Sequence, residues 1–503
     1  MRGALLVCGT HSDAGKSVVT AGICRWLYRE GVRVAPFKAQ NMALNSIVAP
    51  DGSEIGRSQA MQAAAAGVEP EAAMNPILIK PSGERHSQVV VMGRPYADAG
   101  ARSYQAMKDE LRPIVESALA DLRERHDVVV CEGAGSPAEI NLRDGDLTNM
   151  GLARAAGLPV IVVADIDRGG VFASLLGTLA LLDAADQAHV AGFLINRFRG
   201  DASLLAPGVT RIEELTGRPV LGVLPYLEDA WLDVEDSLAL EARRTERPAA
   251  ADTVDVAVLR LRWMSNFTDA DALAAEPGVR VRFTRSIADV ERADLVVVPG
   301  TKATVEDLDR LRAAGLDRAL AARAEAGDPI LGICGGYQLL GERIEDGVES
   351  RRGAVDGLGL LPVTTRFAAD KLLRRPSGFC AWLDTEVGGY EIRHGRVARH
   401  GSEPLIGDDE GCRAGSVIGL SWHGALEHDA FRRALLAHVA AVRGRRFVPG
   451  TTPFATVREA HLDTLGDLVA GHVDVARLAE LIEGGPPADL PVVEMKELAC
   501  SAS

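Results

Sequence analysis

One cysteine in the sequence has the surroundings of a nucleophile. Cys334 ends an apolar run in DPILGICGGYQLLGE (residues 328–342) and directly precedes Gly335 and Gly336. The run predicts a buried strand, and a sharp turn into a following helix would lift the sulfur above the sheet, where the helix N-terminus lowers a thiol pKa. The two glycines let a substrate and backbone N–H donors approach closely. Because buried cysteines are common and usually inert, this cysteine taken alone favours a core residue.

Two other predicted strand ends supply partners for the thiol. His423, in GLSWHGALEHD (419–429), follows a short strand, where its imidazole could act as a base. Gly300 and Thr301 end the strand of VVVPGTKAT (296–304) and could offer a backbone N–H to a developing oxyanion. The Gly300–Thr301 turn, the Cys334 turn and His423, taken together, favour a nucleophilic cysteine over a core residue.

The stretch LLVCGTHSDAGKSVVTAG (residues 5–22) has the form of a phosphate-binding loop. A strand is followed by a glycine-bearing loop and a helix, so backbone N–H groups and the helix N-terminus can face phosphates. Lys16 would reach the outer phosphates and Ser17 would hold Mg²⁺. The spacing departs from the usual pattern, because Thr10 stands where the first glycine belongs before Gly15.

Alternating strands and helices must position these groups. The predicted strands are 4–10, 127–135, 158–166, 190–198 and 218–226, then 254–261, 279–285, 293–301 and 329–336. The predicted helices between the first strands are 15–30, 101–125 and 170–187. Short β-branched runs that alternate with helical stretches indicate an α/β fold class of doubly wound sheets.

A charged, Pro- and Ala-rich stretch divides the chain in two. We predict a first doubly wound domain at 1–240, a linker at 241–252 and a second doubly wound domain at 253–445. The remainder, 446–503, is predicted to be a C-terminal helical extension and tail, because the apolar spacing of 457–484 suits amphipathic helices.

Composition limits the classes of function. A formal net charge of −15 over 503 residues argues against general nucleic-acid binding. The seven cysteines include no CxxC pair, which indicates reduced thiols rather than disulfides or a zinc site. No secretory or membrane-spanning segment is apparent. We therefore expect a soluble cytoplasmic protein with small-molecule substrates, no nucleic-acid or membrane partner, and an oligomeric state that the sequence leaves open.

The loop variant GTxSxxGKS resembles that of dethiobiotin synthetase and related ATP-dependent enzymes that activate carboxylates. The resemblance implies ATP and Mg²⁺, with no tightly bound cofactor. It places Lys38, in PFKAQN, near phosphate or a substrate carboxylate, and Glu132, in CEGAGS, near Mg²⁺ together with Ser17. Asn196, in INRFRGD, would contact the adenine base.

The second half resembles the class I glutamine amidotransferases. That resemblance implies that Cys334 attacks the side-chain amide of glutamine and releases ammonia, with His423 as the base. The family pattern has a glutamate two residues after this histidine, where this chain has Ala425. Glu427 lies further on, so the third member of the site stays open.

Longer stretches in family order resemble the cobyric acid synthases of cobalamin biosynthesis. They are 38–95, 165–174, 196–201, 357–362 and 389–395. The resemblance implies stepwise amidation of four carboxylates of adenosylcobyrinic acid a,c-diamide, each step using ATP and glutamine. We expect the anionic corrinoid to lie on the polar and basic residues Gln40, Asn41, Asn45, Gln59, Lys80 and Arg94.

Two other interpretations remain. A cobyrinic acid a,c-diamide synthase would share both domain types and the chemistry. The stretch QNMALNS favours resemblance to the cobyric acid synthases instead. A deviant phosphate-loop ATPase with a non-catalytic amidotransferase-like module is the alternative from another class, and the Cys334–His423 pair argues against it.

Overall fold

The computed structural model describes residues 1–83, 86–227 and 253–494, so the predicted linker at 241–252 lies outside the described residues. The first strands and helices are β1 Gly3–Gly9, α1 Lys16–Arg29, β2 Val34–Phe37, β3 Gln40–Met42, β4 Ser46–Val48, β5 Glu54–Gly56, α2 Arg57–Ala65, β6 Ile77–Pro81, β7 Ser87–Val91, β8 Arg94–Ala99, α3 Ala101–Arg125, β9 Val128–Glu132, α4 Met150–Ala156, β10 Val160–Asp165, α5 Val171–Ala180, α6 Ala184–Gln187, β11 Val190–Phe198, α7 Ala206–Thr216 and β12 Val220–Pro225. The later ones are β13 Val254–Leu259, β14 Met264–Ser265, α8 Asp271–Ala275, β15 Val279–Thr284, α9 Ile287–Arg292, β16 Leu295–Val298, β17 Gly300–Thr301, α10 Thr304–Ala313, α11 Leu316–Ala326, β18 Ile330–Ile333, α12 Gly335–Leu340, β19 Arg343–Asp346, β20 Gly353–Asp356, β21 Val363–Arg374, β22 Ser377–Cys380, β23 Thr385–Gly388, β24 Glu391–Arg399, β25 Cys412–Ala414, β26 Val417–Leu420, α13 Asp429–Val442, α14 Phe454–His472 and α15 Val475–Gly484. None of the helices in these ranges is long and apolar enough to cross a lipid bilayer.

A six-stranded parallel sheet forms the centre of the first domain, in the order β12-β11-β10-β1-β9-β2. Its strands are short Val- and Ile-rich runs, which are typical of strands buried on both faces. Leu5 and Val7 pack into the core on one side of the sheet, and Leu6 and Cys8 pack into the core on the other. The predicted doubly wound α/β fold is confirmed, and the carboxyl ends of its strands meet along one edge, where such sheets bind ligands.

The segment between β2 and α3 contains strands that the sequence analysis did not predict. Strands β3, β6, β7 and β8 form a four-stranded sheet, and β4 pairs with β5 as an antiparallel hairpin. Met92 and Gly93 turn β7 into β8, with φ of 45° and 73°, as a tight hairpin turn requires. Buried polar residues such as Asn41 and Lys80 interrupt the apolar alternation by which a strand is recognised in a sequence.

The second domain is built on another six-stranded sheet, in the order β15-β13-β16-β18-β26-β25. Only β25 at its edge pairs antiparallel with its neighbour. A four-stranded sheet, β20-β19-β21-β24, and the hairpin β22-β23 were not predicted. Cys334 directly follows β18, and His423 comes soon after β26, the next strand of the sheet. Gly300 follows β16 on the other side of β18, so these parallel neighbours bring the candidate groups to one edge.

The C-terminal helices return to the first domain. Helix α14 begins with Phe454 in the core of the second domain and then lies against α1 of the first. There the Arg25 guanidinium contacts Asp463 at 2.9 Å and Glu459 at 2.8 Å. The two helices approach closely at Gly22, where a β-carbon would lie 2.6 Å from the carbonyl oxygen of Leu465. Helix α14 therefore connects the two domains.

This close approach predicts opposite effects of alanine at two helical glycines. Gly22→Ala should lower the free energy of unfolding by about 1–3 kcal/mol, because the methyl group meets the backbone of α14. Gly177→Ala in α5 is the matched control, since no atom beyond its chain neighbours and its own helix backbone lies within 4 Å of the added β-carbon. That variant should gain roughly 0.5–1 kcal/mol from helix propensity. Differential scanning calorimetry of both variants checks the contact, and a Gly22→Ala variant as stable as the unaltered chain would contradict it.

Candidate active site

Cys334 occupies a strained turn between β18 and α12. Its φ of 51° and ψ of −108° lie outside the regions that residues with side chains prefer. Such strain persists only where the surroundings enforce it, as they do here. A β-carbon on the following Gly336 would lie 1.9 Å from the carbonyl oxygen of Val298, so only glycine fits there. The predicted elbow is present, and Cys334 is 6% exposed.

His423 is held by a carboxylate from a distant part of the chain. Its Nδ1 lies 2.7 Å from Oδ2 of Asp269, and Oδ1 of the same carboxylate accepts the backbone N–H of Gly424 at 2.8 Å. With Nδ1 facing Asp269, Nε2 is the nitrogen that serves the sulfur of Cys334. Burial alone would lower the pKa of His423, but Asp269 and Cys334 raise it to about 10. The geometry is that of a Cys–His–Asp triad.

Sequence reasoning missed Asp269 and left the third position open. Asp269 lies on the short 3-10 helix Phe267–Ala270, 154 residues before the histidine, so no local motif joins the two. Glu427 faces elsewhere and forms ion pairs with Arg57 and Arg458. The available signal was the polar stretch NFTDAD directly after a strand, which reads equally well as an ordinary helix start.

The predicted oxyanion residues lie against the same turn. Gly300 and Thr301 form β17, which pairs with Met264 and Ser265 of β14. A β-carbon on Gly300 would lie 2.7 Å from Cε1 of His423. One on Gly335 would lie 2.7 Å from the backbone nitrogen of Thr301. Glycine at 300 and 335 therefore leaves room for the histidine ring and the neighbouring backbone.

A pocket of about 40 Å³ opens in front of Cys334. The second domain supplies most of its wall, including His423, Asn266 and Lys371. Lys80 of the first domain also lines it. The thiol site is therefore closed by side chains of both domains.

The phosphate loop is formed as predicted between β1 and α1. The Lys16 Nζ donates to the carbonyl oxygens of His11 and Gly135, both at 3.0 Å. Gly15 has a φ of 100°, and a β-carbon there would lie 2.0 Å from Nδ2 of Asn196. Asn196 donates to the carbonyl oxygen of Ala14 at 3.0 Å, so its amide lies directly against the loop.

Glu132 is the centre of a polar cluster beside this loop. Its carboxylate accepts from the Ser17 hydroxyl at 2.8 Å and lies 3.0 Å from the Lys38 Nζ. The Gln62 Nε2 donates to the other carboxylate oxygen at 2.5 Å. Gln62, on α2, was not predicted from the sequence, because a glutamine in an Ala-rich helix carries no motif. Within the described ranges, no three His, Cys, Asp or Glu side chains group together as a metal site.

The candidate corrinoid residues divide by exposure. Arg94 is exposed and Gln40 is partly buried, with its Oε1 accepting from the Tyr104 hydroxyl. The other candidates are buried; they are Asn41, Asn45, Gln59 and Lys80. Asn41 donates to Gln59 at 2.8 Å. Lys80 lies 2.6 Å from Glu54, so part of the set is occupied with contacts inside the protein.

Two family models match separate halves of the chain. Residues 5–238 match the CobQ/CobB/MinD/ParA nucleotide binding domain, and residues 255–431 match the CobB/CobQ-like glutamine amidotransferase domain. The two domain types in one polypeptide, with a thiol triad in one and a phosphate loop in the other, define a glutamine-dependent ligase.

Relatives of nearly the same length narrow the class to one family. The cobyric acid synthase of Frankia casuarinae is 61% identical over 98% of this chain and 99% of its own length. The cobyric acid synthases of Streptomyces avermitilis and Streptomyces coelicolor are each 58% identical, again over 98% of this chain and 99% of theirs. This chain belongs to the cobyric acid synthase family.

The triad predicts a specific effect of Asp269→Asn. Loss of the charge should lower the pKa of His423, so that the imidazolium stabilises a Cys334 thiolate less well at neutral pH. The rate at which iodoacetamide alkylates Cys334 should be measured as a function of pH. In Asp269→Asn the rise of this rate should occur at a higher pH than in the unaltered chain. Glutamine hydrolysis should fall on the order of 10²- to 10⁴-fold.

Glu427→Gln provides the control, because Glu427 is the acidic residue nearest the position where the family pattern has its glutamate. Its alkylation profile should match that of the unaltered chain. A shift with Glu427→Gln and none with Asp269→Asn would assign the third position to Glu427 instead.

Proposed function

We propose that this chain amidates the four peripheral carboxylates b, d, e and g of adenosylcobyrinic acid a,c-diamide, and so forms adenosylcobyric acid. Glutamine supplies the nitrogen and ATP activates each carboxylate. One observation carries the proposal: a Cys334–His423–Asp269 triad and a Lys16 phosphate loop lie on the same chain. Family membership supports the choice of corrinoid.

The chemistry explains why both sites are needed. A carboxylate is a poor electrophile, because attack at its carbon would have to expel oxide. Transfer of the terminal phosphoryl group of ATP to a carboxylate oxygen gives an acyl phosphate and ADP. The lone pair of ammonia then attacks the acyl carbon, phosphate leaves with the electrons of the broken C–O bond, and loss of a proton gives the amide. Only unprotonated ammonia carries that lone pair, and in neutral water ammonia is mostly ammonium.

The thiol site makes ammonia from glutamine. The Cys334 thiolate attacks the side-chain amide carbon, and the Nε2 proton of His423 passes to the departing nitrogen, which leaves as ammonia. A glutamyl thioester remains on the sulfur. His423 then takes a proton from water as the water attacks the thioester, and glutamate leaves. Asp269 keeps Nδ1 of the ring oriented throughout.

The loop residues fit a nucleotide and Mg²⁺. The buried Oγ1 of Thr10 has no hydrogen-bond partner among the described residues, which leaves an oxygen at the loop available to a ligand. We propose that Thr10, Gly15 and Lys16 hold the phosphates and that Asn196 contacts the base. Ser17 and Glu132 supply oxygen donors 2.8 Å apart, a donor set that suits Mg²⁺. When bound, Mg²⁺ would neutralise charge on the phosphates.

Lys38 fits a role at the reacting carboxylate. Its Nζ lies 3.0 Å from Glu132 beside the loop, so a positive charge lies close to where phosphate and carboxylate would meet. We assign the exposed Arg94 and the partly buried Gln40 to direct contact with the corrinoid. The buried Asn41, Asn45, Gln59 and Lys80 would shape the surface beneath it.

The test of the function is product formation. Purified chain is incubated with adenosylcobyrinic acid a,c-diamide, ATP, Mg²⁺ and glutamine, and the corrinoids are examined by mass spectrometry. We expect intermediates with successive amide-for-hydroxyl replacements that end at four. A chain that leaves this substrate unchanged and amidates cobyrinic acid would instead be the a,c-diamide synthase.

Cys334→Ala should separate the two nitrogen sources. The variant should lose glutamine-dependent amidation, because no other described thiol lies in a triad, and should keep amidation driven by a high concentration of ammonium. Cys24→Ala, on the buried face of α1, is the matched control and should keep both activities. Loss of both in a folded Cys334→Ala variant would refute the proposed division of labour.

Lys16→Ala should have the complementary effect. It should abolish product from either nitrogen source, because acyl phosphate formation loses the cation at the loop. Hydrolysis of glutamine to glutamate, measured without the corrinoid, should persist, since the thiol lies in the other domain. Ammonium-dependent turnover at the unaltered rate would rule out the role proposed for the loop.

A further inference from the structure

Ser46 of the first domain makes a hydrogen bond directly to the second domain, which contains Cys334. Its backbone N–H donates to Oδ1 of Asn266 at 2.8 Å, and both residues are buried. Ser46 begins β4 and follows a segment that includes the candidate corrinoid residues Gln40, Asn41 and Asn45. This segment of the first domain is thus hydrogen-bonded to Asn266, which lines the pocket in front of Cys334.

Asn266 stands at the junction of two parts of the thiol site. On one side Ser265 pairs with Gly300 beside His423. On the other side begins the 3-10 helix that carries Asp269, and the backbone N–H of Asp269 donates to the carbonyl oxygen of Asn266 at 3.1 Å. Asn266 itself has a φ of 51° and ψ of 39°, a left-handed conformation that asparagine tolerates better than most residues. A shift of Asn266 would therefore move the carboxylate that orients His423.

Ser46 is itself fixed by a buried ionic cluster. Its hydroxyl donates to Glu54 at 2.9 Å and accepts from the Lys80 Nζ at 2.7 Å. Glu54 also pairs with Lys371 of the second domain. Burial would raise the pKa of Glu54, but Lys371 and Lys80 hold it well below its usual range, so its carboxylate is ionised. Burial lowers the pKa of Lys371 to about 7, although Glu54 opposes that shift. Ser46 is thus a rigid point from which the first domain holds Asn266.

We propose that Asn266 is a positioning residue for glutamine hydrolysis, and that the first domain holds the triad in register through the Ser46–Asn266 hydrogen bond. The proposal rests on the proposed function of the thiol site. It makes glutamine hydrolysis dependent on the docking of the domain that consumes the ammonia. A change at residues 40–46 would then reach Asp269 through one hydrogen bond and the start of one short helix.

Asn266→Gly is the direct test, because glycine adopts the same left-handed backbone and removes the side chain that accepts the hydrogen bond. We expect kcat for glutamine hydrolysis to fall about 10- to 100-fold, as for a catalytic group displaced by a fraction of an ångström to an ångström. KM for glutamine should change little. The pH profile of Cys334 alkylation should shift toward the profile of Asp269→Asn, and ammonium-dependent amidation should stay at the unaltered rate.

Two further variants distinguish this role from a general structural one. Asn266→Asp keeps an acceptor oxygen and the backbone preference, so its kcat should lie between those of the unaltered chain and Asn266→Gly. Glu427→Gln weakens a different contact between the domains, the pair with Arg57, and should leave the alkylation profile unchanged.

Three results would overturn the inference. They are an unchanged kcat and alkylation profile in Asn266→Gly, an equal loss in Asn266→Gly and Asn266→Asp, or a parallel loss of ammonium-dependent amidation. Failure of the proposed function is a separate result, since it would appear as absence of corrinoid amide from either nitrogen source in the unaltered chain.

Discussion

The docking of the two domains depends on one buried carboxylate, that of Glu54, which forms ion pairs with Lys80 and Lys371. Lys80 and Glu54 belong to the first domain and Lys371 to the second, and none of the three charges is exposed to water. Removing one partner of such a buried group typically costs about 3–5 kcal/mol, because a charge is left uncompensated. The cluster therefore favours a single docked arrangement, and it fixes Ser46 against Asn266, which lines the thiol pocket.

Docking of the domains matters because water destroys the intermediate of each half-reaction. An acyl phosphate must be protected from water until a nucleophile arrives, and ammonia must arrive before it is protonated. Amidation with nitrogen from glutamine therefore needs both halves together. The C-terminal helix α14, which begins in the second domain and packs on α1 of the first, adds a further connection between the halves.

Much of the architecture could be read from local patterns. The Val- and Ile-rich runs identified most strands of the two six-stranded sheets, although not β2 or β25 at their edges, and α3 spans the predicted residues 101–125. Cys334, His423 and the phosphate loop were recognised because each follows a strand and carries a local motif. The strands between β2 and α3 escaped prediction, since buried Asn, Gln and Lys side chains break the alternation there. Asp269 and Gln62 escaped for another reason: their partners are distant in sequence, and only the folded chain brings them together.

Because ammonia is mostly protonated in neutral water, we infer that the nitrogen released at Cys334 passes to the activated carboxylate before it mixes with the medium. The most direct measurement supplies glutamine labelled with ¹⁵N in its side-chain amide, together with an excess of unlabelled ammonium in the medium. Mass spectrometry then gives the isotope content of the corrinoid amides. We expect amides that carry ¹⁵N despite the unlabelled excess. Amides with the isotope ratio of the medium would show that the ammonia mixes with the medium before it reacts, and would contradict direct transfer from Cys334.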